Sequence, residues 1–334
     1  WRFLLTGERQ ESVRVSLPKG VSPEFTLSRL ERTGDAVTAG IIKDAGDDPD
    51  VTHGAEIITT VRAGAPGSGI TFAAGEGVGH VTLPGLPLAV GEPAINPKPR
   101  EIIAANLAEV AEELDAVCDL HVTVSIPGGE ALAVNTANGR LGILGGLSIL
   151  GTTGVVVPYS CASWIHSIHR GIDVARAAGI DHIAGSTGRT SEETVRNLFG
   201  LQEQALIDMG DFAGGMLKYL RRKPIPKLTI AGGFGKLAKL ADGEMDLHSS
   251  RSRVNTAMLA RWLAEAGADK PMVEAAAACT AAGQVLALAE GYQPMLAERC
   301  ARGAREVALA TLSGDVAVDV LVIDRGGNQL AHVG

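Results

Sequence analysis

Residues His182 to Glu193 read H-I-A-G-S-T-G-R-T-S-E-E, and residues Lys227 to Lys236 read K-L-T-I-A-G-G-F-G-K. Each is a short apolar run that stops in glycines and passes into a helix signal. His182–Ala184 is a strand entering the turn Gly185–Gly188, and Ser191 or Thr190 caps the helix that follows. Lys227–Ala231 is a strand ending in Gly232-Gly233-Phe234-Gly235. The same rhythm continues around them, with helices over Ser163–Ala178, Gln202–Arg222, Arg253–Ala266, Val273–Glu290 and Leu296–Leu312, and a closing strand over Val316–Ile323. Strands alternating with helices predict an α/β domain with a mostly parallel, doubly wound sheet. Ligands of such sheets bind at the carboxyl ends of strands, where the strand order reverses. The Gly-rich loops at Gly145/Gly146, Ser186–Arg189 and Gly232–Lys236 fall at such ends.

Before about Leu141 the pattern is different. Strands are expected over Ser12–Leu17, Ala36–Lys43, Glu56–Val61, Ile70–Ala73 and Leu120–Ile126. One helix runs from Pro99 or Arg100 to Asp115, with Ile102, Ile103, Leu107, Val110 and Leu114 on one face. This predicts an N-terminal α+β domain over 1–138 and an α/β domain over 139–334, with the last strand free to pair in either. Trp1–Gly7 looks like the tail of a helix. The sequence does not begin with Met, so an N-terminal piece is expected to be missing.

The 334 residues favour two domains, and 4% aromatics require cores of Ala, Val, Leu and Ile. A net charge of −8 argues against a nucleic-acid or membrane surface role, but a local basic pocket for an anionic small molecule stays open. Cys118, Cys161, Cys279 and Cys300 form no C-x-x-C pair, which favours free thiols in a reducing cytoplasm. No apolar run is long enough to span a membrane. Neither G-x-x-x-x-G-K-[ST] nor a strand-linked G-x-G-x-x-G occurs, which weakens ATPase and dehydrogenase readings.

Asn138 to Gly154 reads N-G-R-L-G-I-L-G-G-L-S-I-L-G-T-T-G, with six glycines among apolar residues. A packed segment with so few side chains admits a close neighbour or needs positive φ. Its candidate contacts to a nucleoside-type cofactor are Gly145, Gly146, Ser148, Thr152, Thr153 and Gly154, joined by Gly188, Gly232 and Gly233 at the other strand ends. A tight turn between packed elements is the alternative.

Lys43 to Gly54, K-D-A-G-D-D-P-D-V-T-H-G, collects Asp44, Asp47, Asp48, Asp50 and His53. Clustered acids serve as a base or as metal ligands, or cap the amides of a turn. EF-hand spacing fails. His166 and His169 share a helix face but lack a partner ligand, so no protein metal site is expected. Gly75–Leu86 and Gly91–Arg100 are rigid Gly/Pro loops, of the kind that often carries function. Lys98 and Arg100 could hold a carboxylate. In Gly235–Arg253 the residues Lys236, Lys239, His248, Arg251 and Arg253 give local positive charge, with Ser249, Ser250 and Ser252 as donors.

Together these stretches resemble the cobalt-precorrin-5B C(1)-methyltransferase family, known as CbiD. The matching text is K-D-A-G-D-D-P-D-V-T-H-G, G-E-G-V-G-H-V-T-L-P-G-L, G-E-P-A-I-N-P-K-P-R, R-L-G-I-L-G-G-L-S-I-L-G-T-T-G, G-K-L-A-K-L-A-D-G and M-D-L-H-S-S-R-S. The motifs occur in the family's order from about Lys43 to Arg253. The family's Thr-Gly-rich and Ala-rich opening has no counterpart before Trp1. The resemblance implies S-adenosylmethionine-dependent methylation of C-1 of a ring-contracted corrinoid, giving cobalt-precorrin-6A and S-adenosylhomocysteine. It also implies a Rossmann-like, three-layer second domain that holds the donor, and a first domain that faces the substrate. The substrate's carboxylates need donors, for which Thr82, Asn96, Arg100, Lys236, His248, Ser249 and Arg251 are candidates. A base to take up the proton released as C-1 is alkylated is sought among Asp44, Asp47, Asp48 and His53. Cobalt arrives chelated in the substrate. Contacts with another copy or with neighbouring pathway enzymes stay open, as do two rival functions: a non-catalytic tetrapyrrole carrier, and a nucleotide-dependent enzyme using the Gly-rich loops for phosphate.

Overall fold

The structure is a computed structural model that describes all residues from Trp1 to Gly334. The chain divides into two compact units, Trp1–Ser160 and Cys161–Gly334.

The first unit opens with α1 (Arg2–Thr6), which ends at Gly7 in the left-handed region with φ 75°, as a helix tail should. Then follow β1 (Ser12–Arg14), β2 (Glu24–Thr26), β3 (Arg29–Thr33), β4 (Ala36–Ile42), β5 (Glu56–Ala63), β6 (Ile70–Ala74), β7 (His80–Val81), α2 (Pro97–Glu113), β8 (Leu120–Ser125), α3 (Gly129–Ala133) and β9 (Ile143–Leu144). The main sheet has the order β3-β4-β5-β8-β6. All its pairs are antiparallel except β6 with β8. In β8 the residues Leu120, Val122 and Val124 are buried and alternate with half-buried His121, Thr123 and Ser125. This is the period-two pattern of a strand with one covered face. Ile103 and Leu107 of α2 pack on the covered side. The helix starts at Pro97, two residues before the earlier of the expected starts, because Asn96 takes the N-cap and Pro97 and Pro99 occupy a first turn that needs no N–H.

Residues 139–160 belong to this unit, so the boundary lies after Ser160 and not after Asn138. The reason is packing. β9 pairs with β7, and Leu147 and Ile149 pack with Val78 and Ile95. The amides of Leu147 and Ile149 donate to the carbonyls of Gly77 at 2.8 Å and Ala94 at 2.7 Å.

The second unit contains α4 (Cys161–Ala177), β10 (His182–Ser186), α5 (Arg189–Phe199), β11 (Leu206–Asp208), α6 (Ala213–Arg222), β12 (Lys227–Gly233), α7 (Phe234–Ala241), α8 (Thr256–Glu265), α9 (Lys270–Ala278), α10 (Ala282–Leu288), α11 (Gln293–Leu312), β13 (Ala317–Ile323) and β14 (Gln329–Val333). The sheet order is β11-β10-β12-β13-β14, with β14 alone antiparallel. Alternate strand residues feed two cores. Ile183, Leu228, Ile230, Val318, Val320 and Val322 join α4, α6, α7, α8 and α11 on one face. Ala184, Ala231, Leu321 and Ile323 join Val195 of α5 on the other.

Two expected helices are corrected. Gln202–Arg222 is not one helix: Leu206–Asp208 pairs with Ala184–Ser186 as β11, and Gly210 turns the chain at φ 53° before α6. Val273–Glu290 breaks at Cys279–Ala281, where Gln284 Oε1 accepts the amides of Thr280 (2.9 Å) and Ala281 (3.2 Å). The closing strand pairs with β12 in this unit, which settles its placement. No helix is long and apolar enough to cross a membrane.

Candidate active site

In the second unit the chain leaves β10 toward the face covered by α5 and leaves β12 toward the face covered by α7. The two helices thus lie on opposite faces, the strand-order switch point at whose carboxyl ends open α/β sheets form their ligand crevice. The turns there are fixed by hydrogen bonds. The Ser186 carbonyl accepts the amides of Met209 (3.0 Å) and Gly210 (3.1 Å) from the turn after β11, and the Thr187 amide donates to the Ala231 carbonyl at 3.0 Å. Lys236, in the first turn of α7, donates to the Thr187 carbonyl at 2.8 Å and lies 3.0 Å from Asp211 Oδ1. A Cβ on Gly232 would meet Thr187 Oγ1 at 2.7 Å, so this glycine serves the close approach of the two turns. A Cβ on Gly188 or Gly233 would meet nothing within 4 Å. Two buried oxygens at this edge, Ser186 Oγ and Asp211 Oδ1, have no aligned hydrogen-bond partner. Orphaned polar atoms are uncommon in folded proteins and mark places where a ligand or water completes the bonding.

Lys239 is 6% exposed, and its ammonium donates to the Leu247 carbonyl at 2.8 Å. The Leu247 amide donates to the Asp211 carbonyl at 2.8 Å. The Asp246–Ser252 turn is thereby tied to the crevice, and its His248, Ser249 and Arg251 stay exposed. The Ser250 amide donates to His248 Nδ1 at 3.2 Å, so that the N–H of a neutral ring sits on Nε2. Lys236 instead contacts the Thr187 carbonyl and Asp211.

In the first unit the Asp44–His53 segment is a turn held by its own side chains. Asp44 Oδ1 accepts the Gly46 amide at 2.9 Å, and His53 Nδ1 accepts the Ala45 amide at 3.1 Å. Asp48 Oδ1 accepts the Tyr159 amide at 3.1 Å. Asp47 is exposed and makes no hydrogen bond within the chain. The four candidates are thus adjacent but unequal, and only Asp47 has a free carboxylate. Asp50, paired with Lys43, accepts the Thr52 amide at 2.8 Å. Burial pushes its pKa up, but the bonds from Lys43 and Thr52 outweigh burial and hold it below the usual value. A depressed carboxylate stabilises the fold above its unfolded pKa and loses that contribution as pH falls through the folded one. Asp50→Asn should therefore cost about 1–2 kcal/mol at neutral pH, a gap that closes as pH falls below the usual aspartate range and through the lower folded-state value, as read by urea unfolding across pH.

The glycine run and the Gly/Pro loops lock onto each other. A Cβ on Gly146 would stand 2.2 Å from the Gly77 carbonyl oxygen, and one on Gly154 would stand 2.6 Å from Leu17 Cδ2. Ser148 Oγ donates to Asn138 Oδ1 at 3.1 Å, and Thr153 Oγ1 donates to the Val155 carbonyl at 2.9 Å. Gly145 and Thr152 are exposed. Thr82 Oγ1 donates to the Gly142 carbonyl at 2.8 Å, and the Asn96 amide donates to the Ile149 carbonyl at 2.9 Å. Arg100 bonds the carbonyls of Ile95 (2.7 Å) and Pro93 (3.2 Å) and the Glu92 carboxylate (3.0 Å), and lies over the Phe72 ring. These side chains hold the loops in place.

Comparison with known proteins decides the family. The CbiD family model matches residues 1–158, and the model of the CbiD C-terminal domain matches 246–334. The chain is 58% identical to the cobalt-precorrin-5B C(1)-methyltransferase of Paramagnetospirillum magneticum over 96% of its length and 89% of that protein. The chain belongs to the CbiD family. A protein of the same name from Methylorubrum extorquens is 55% identical over 98% of the chain and 91% of its own length. A crystal structure of the cobalamin biosynthesis protein (cbiD) from Archaeoglobus fulgidus is 27% identical, covering 75% of this chain and 77% of that one, with a TM-score of 0.38.

The CbiD motifs thus fall into two sets. In the first unit the glycine run and the Gly/Pro loops interlock around Gly77 and Gly146 while K-D-A-G-D-D-P-D-V-T-H-G forms its own turn, and G-K-L-A-K-L-A-D-G and M-D-L-H-S-S-R-S are tied together in the second. Sequence reasoning missed Asp211 and Ser186, because the former was placed inside a long helix and the latter was one residue of a glycine turn. A break in the Gln202–Arg222 helix at Met209-Gly210-Asp211 was the available signal.

Proposed function

We propose that this chain transfers a methyl group from S-adenosylmethionine to C-1 of cobalt-precorrin-5B, giving cobalt-precorrin-6A in anaerobic cobalamin biosynthesis. The observation that carries this reading is the 58% identity, over 96% of the chain, to a protein named for that reaction. We read the second unit as Rossmann-like and as the donor-binding part, with Ser186–Gly188, Gly232 and Gly233 at the crevice. Its orphaned Ser186 and Asp211 oxygens and its open Gly233 suit a nucleoside carrying an amino acid. The sulfonium supplies an activated methyl group, and its in-line displacement depends mainly on positioning. The chain fixes that position through the bonds that lock Ser186, Thr187 and Lys236. We assign the corrinoid to the first unit. Alkylation of C-1 releases a proton. Asp47 is the carboxylate free to take it, because Asp44 and Asp48 accept backbone amides and the neutral ring of His53 offers Nε2–H. The chain acts in the cytoplasm, in keeping with its free thiols.

The test is single-turnover methylation with the purified chain, the cobalt corrinoid and the donor, followed by mass spectrometry of the corrinoid. One added methyl per S-adenosylhomocysteine formed supports the reading. Tight corrinoid binding with no transfer would favour a carrier instead. Asp47→Asn should slow the single turnover by about 10²-fold at unchanged melting temperature. A normal rate would remove Asp47 as the base.

A further inference from the structure

We propose that Lys236 and Asp211 together seat the amino-acid end of the methyl donor, with its carboxylate on Lys236 and its ammonium on Asp211. This rests on the reading of the second unit as the donor-binding part. Lys236 Nζ and Asp211 Oδ1 lie 3.0 Å apart at the strand-end crevice. The contact is close but off the hydrogen-bond line, so Oδ1 is buried without an aligned donor. The ammonium bonds the Thr187 carbonyl and retains N–H groups for a further acceptor. The side chains are 39% and 22% exposed, which leaves both within reach of a ligand in the crevice.

The chemistry selects the ligand class. A phosphate or a simple carboxylate drawn to Lys236 would be repelled by Asp211, and a simple cation drawn to Asp211 would be repelled by Lys236. An α-amino acid carries both charges on one carbon and satisfies both residues at once. Binding it exchanges one poorly aligned ion pair for two charge-assisted hydrogen bonds. The pair is also held in place before the ligand arrives. Asp211 is fixed by its carbonyl bond from Leu247 at 2.8 Å, and Lys236 by the first turn of α7.

The test is titration calorimetry of the wild-type chain, Lys236→Met, Lys236→Arg and Asp211→Asn with two ligands. S-adenosylhomocysteine carries the amino acid, whereas 5′-methylthioadenosine has the same nucleoside and sulfur without it. Lys236→Met and Asp211→Asn should each weaken S-adenosylhomocysteine by about 10- to 100-fold and 5′-methylthioadenosine by less than about twofold. Lys236→Arg should recover part of the loss. Equal losses for both ligands, or none for either, would overturn the proposal, since a merely structural pair cannot distinguish them. Asp211→Asn is isosteric and carries the test if Lys236→Met does not fold. Hydrogen exchange on the wild type separates the two levels: S-adenosylhomocysteine that protects only the first unit sinks the donor-site reading itself, and this proposal with it.

Discussion

Gly146→Val is expected to leave the first unit unfolded. A Cβ at this position would stand 2.2 Å from the Gly77 carbonyl oxygen, 2.3 Å from its carbonyl carbon and 2.8 Å from the Val78 nitrogen, all of them backbone atoms. None can swing aside as a side-chain end could. Gly77 is itself pinned, since its own Cβ would meet the Ile126 carbonyl at 1.9 Å. The strand pair β7–β9 and the amide bond from Leu147 to Gly77 must separate to admit the valine. The cost lies well above the ~1–3 kcal/mol of ordinary core overpacking. Circular dichroism and limited proteolysis should show the first unit digested while the second, whose core is separate, persists. A variant that resists the protease and melts like the wild type would mean that the glycine contact can relax.

Gly233→Val should do the opposite: keep the fold and lose the donor. Gly233 has φ −70° and ψ 149°, an extended conformation that valine favours, and a Cβ there meets nothing within 4 Å. The only expected structural penalty is at the N-cap of α7, roughly 0.5–1 kcal/mol. The branched side chain would fill the space that the donor is proposed to occupy against the backbone. Calorimetry should then detect no S-adenosylhomocysteine binding by a protein of near-normal melting temperature. Undiminished affinity would place the donor away from this turn. Paired with Gly146→Val, the variant separates a glycine that serves packing from one that serves a ligand.

Much of the architecture is legible in the chain. His182–Ala184, Lys227–Ala231 and Val316–Ile323 are apolar, bounded by glycine or proline, and spaced by helices, and all three become neighbouring parallel strands. β11 was not legible because Leu206-Ile207-Asp208 is three residues flanked by helix-compatible ones. Its strand state comes from pairing with β10, a long-range contact that overrides local propensity. The glycine run shows the complementary limit. Gly146 announces a close approach, but its sequence cannot say whether a ligand or the Gly77 backbone makes it. Charge is equally ambiguous. Arg100 and Lys239 look like anion binders in a line of text, yet both donate to carbonyls of their own unit. Lys236 and Asp211 carry the reverse lesson, because residues separated by a helix and a strand meet only through the sheet order.

The central claim is that the methyl donor binds at the strand ends of the second unit. Hydrogen–deuterium exchange of the whole chain, with and without saturating S-adenosylhomocysteine, tests it most directly. Slowed exchange is expected at the amides of Ser186–Arg189 and Gly232–Lys236, with Gly139–Gly154 unchanged. Protection confined to Gly139–Gly154, with the strand ends of the second unit exchanging as in the free protein, would contradict it.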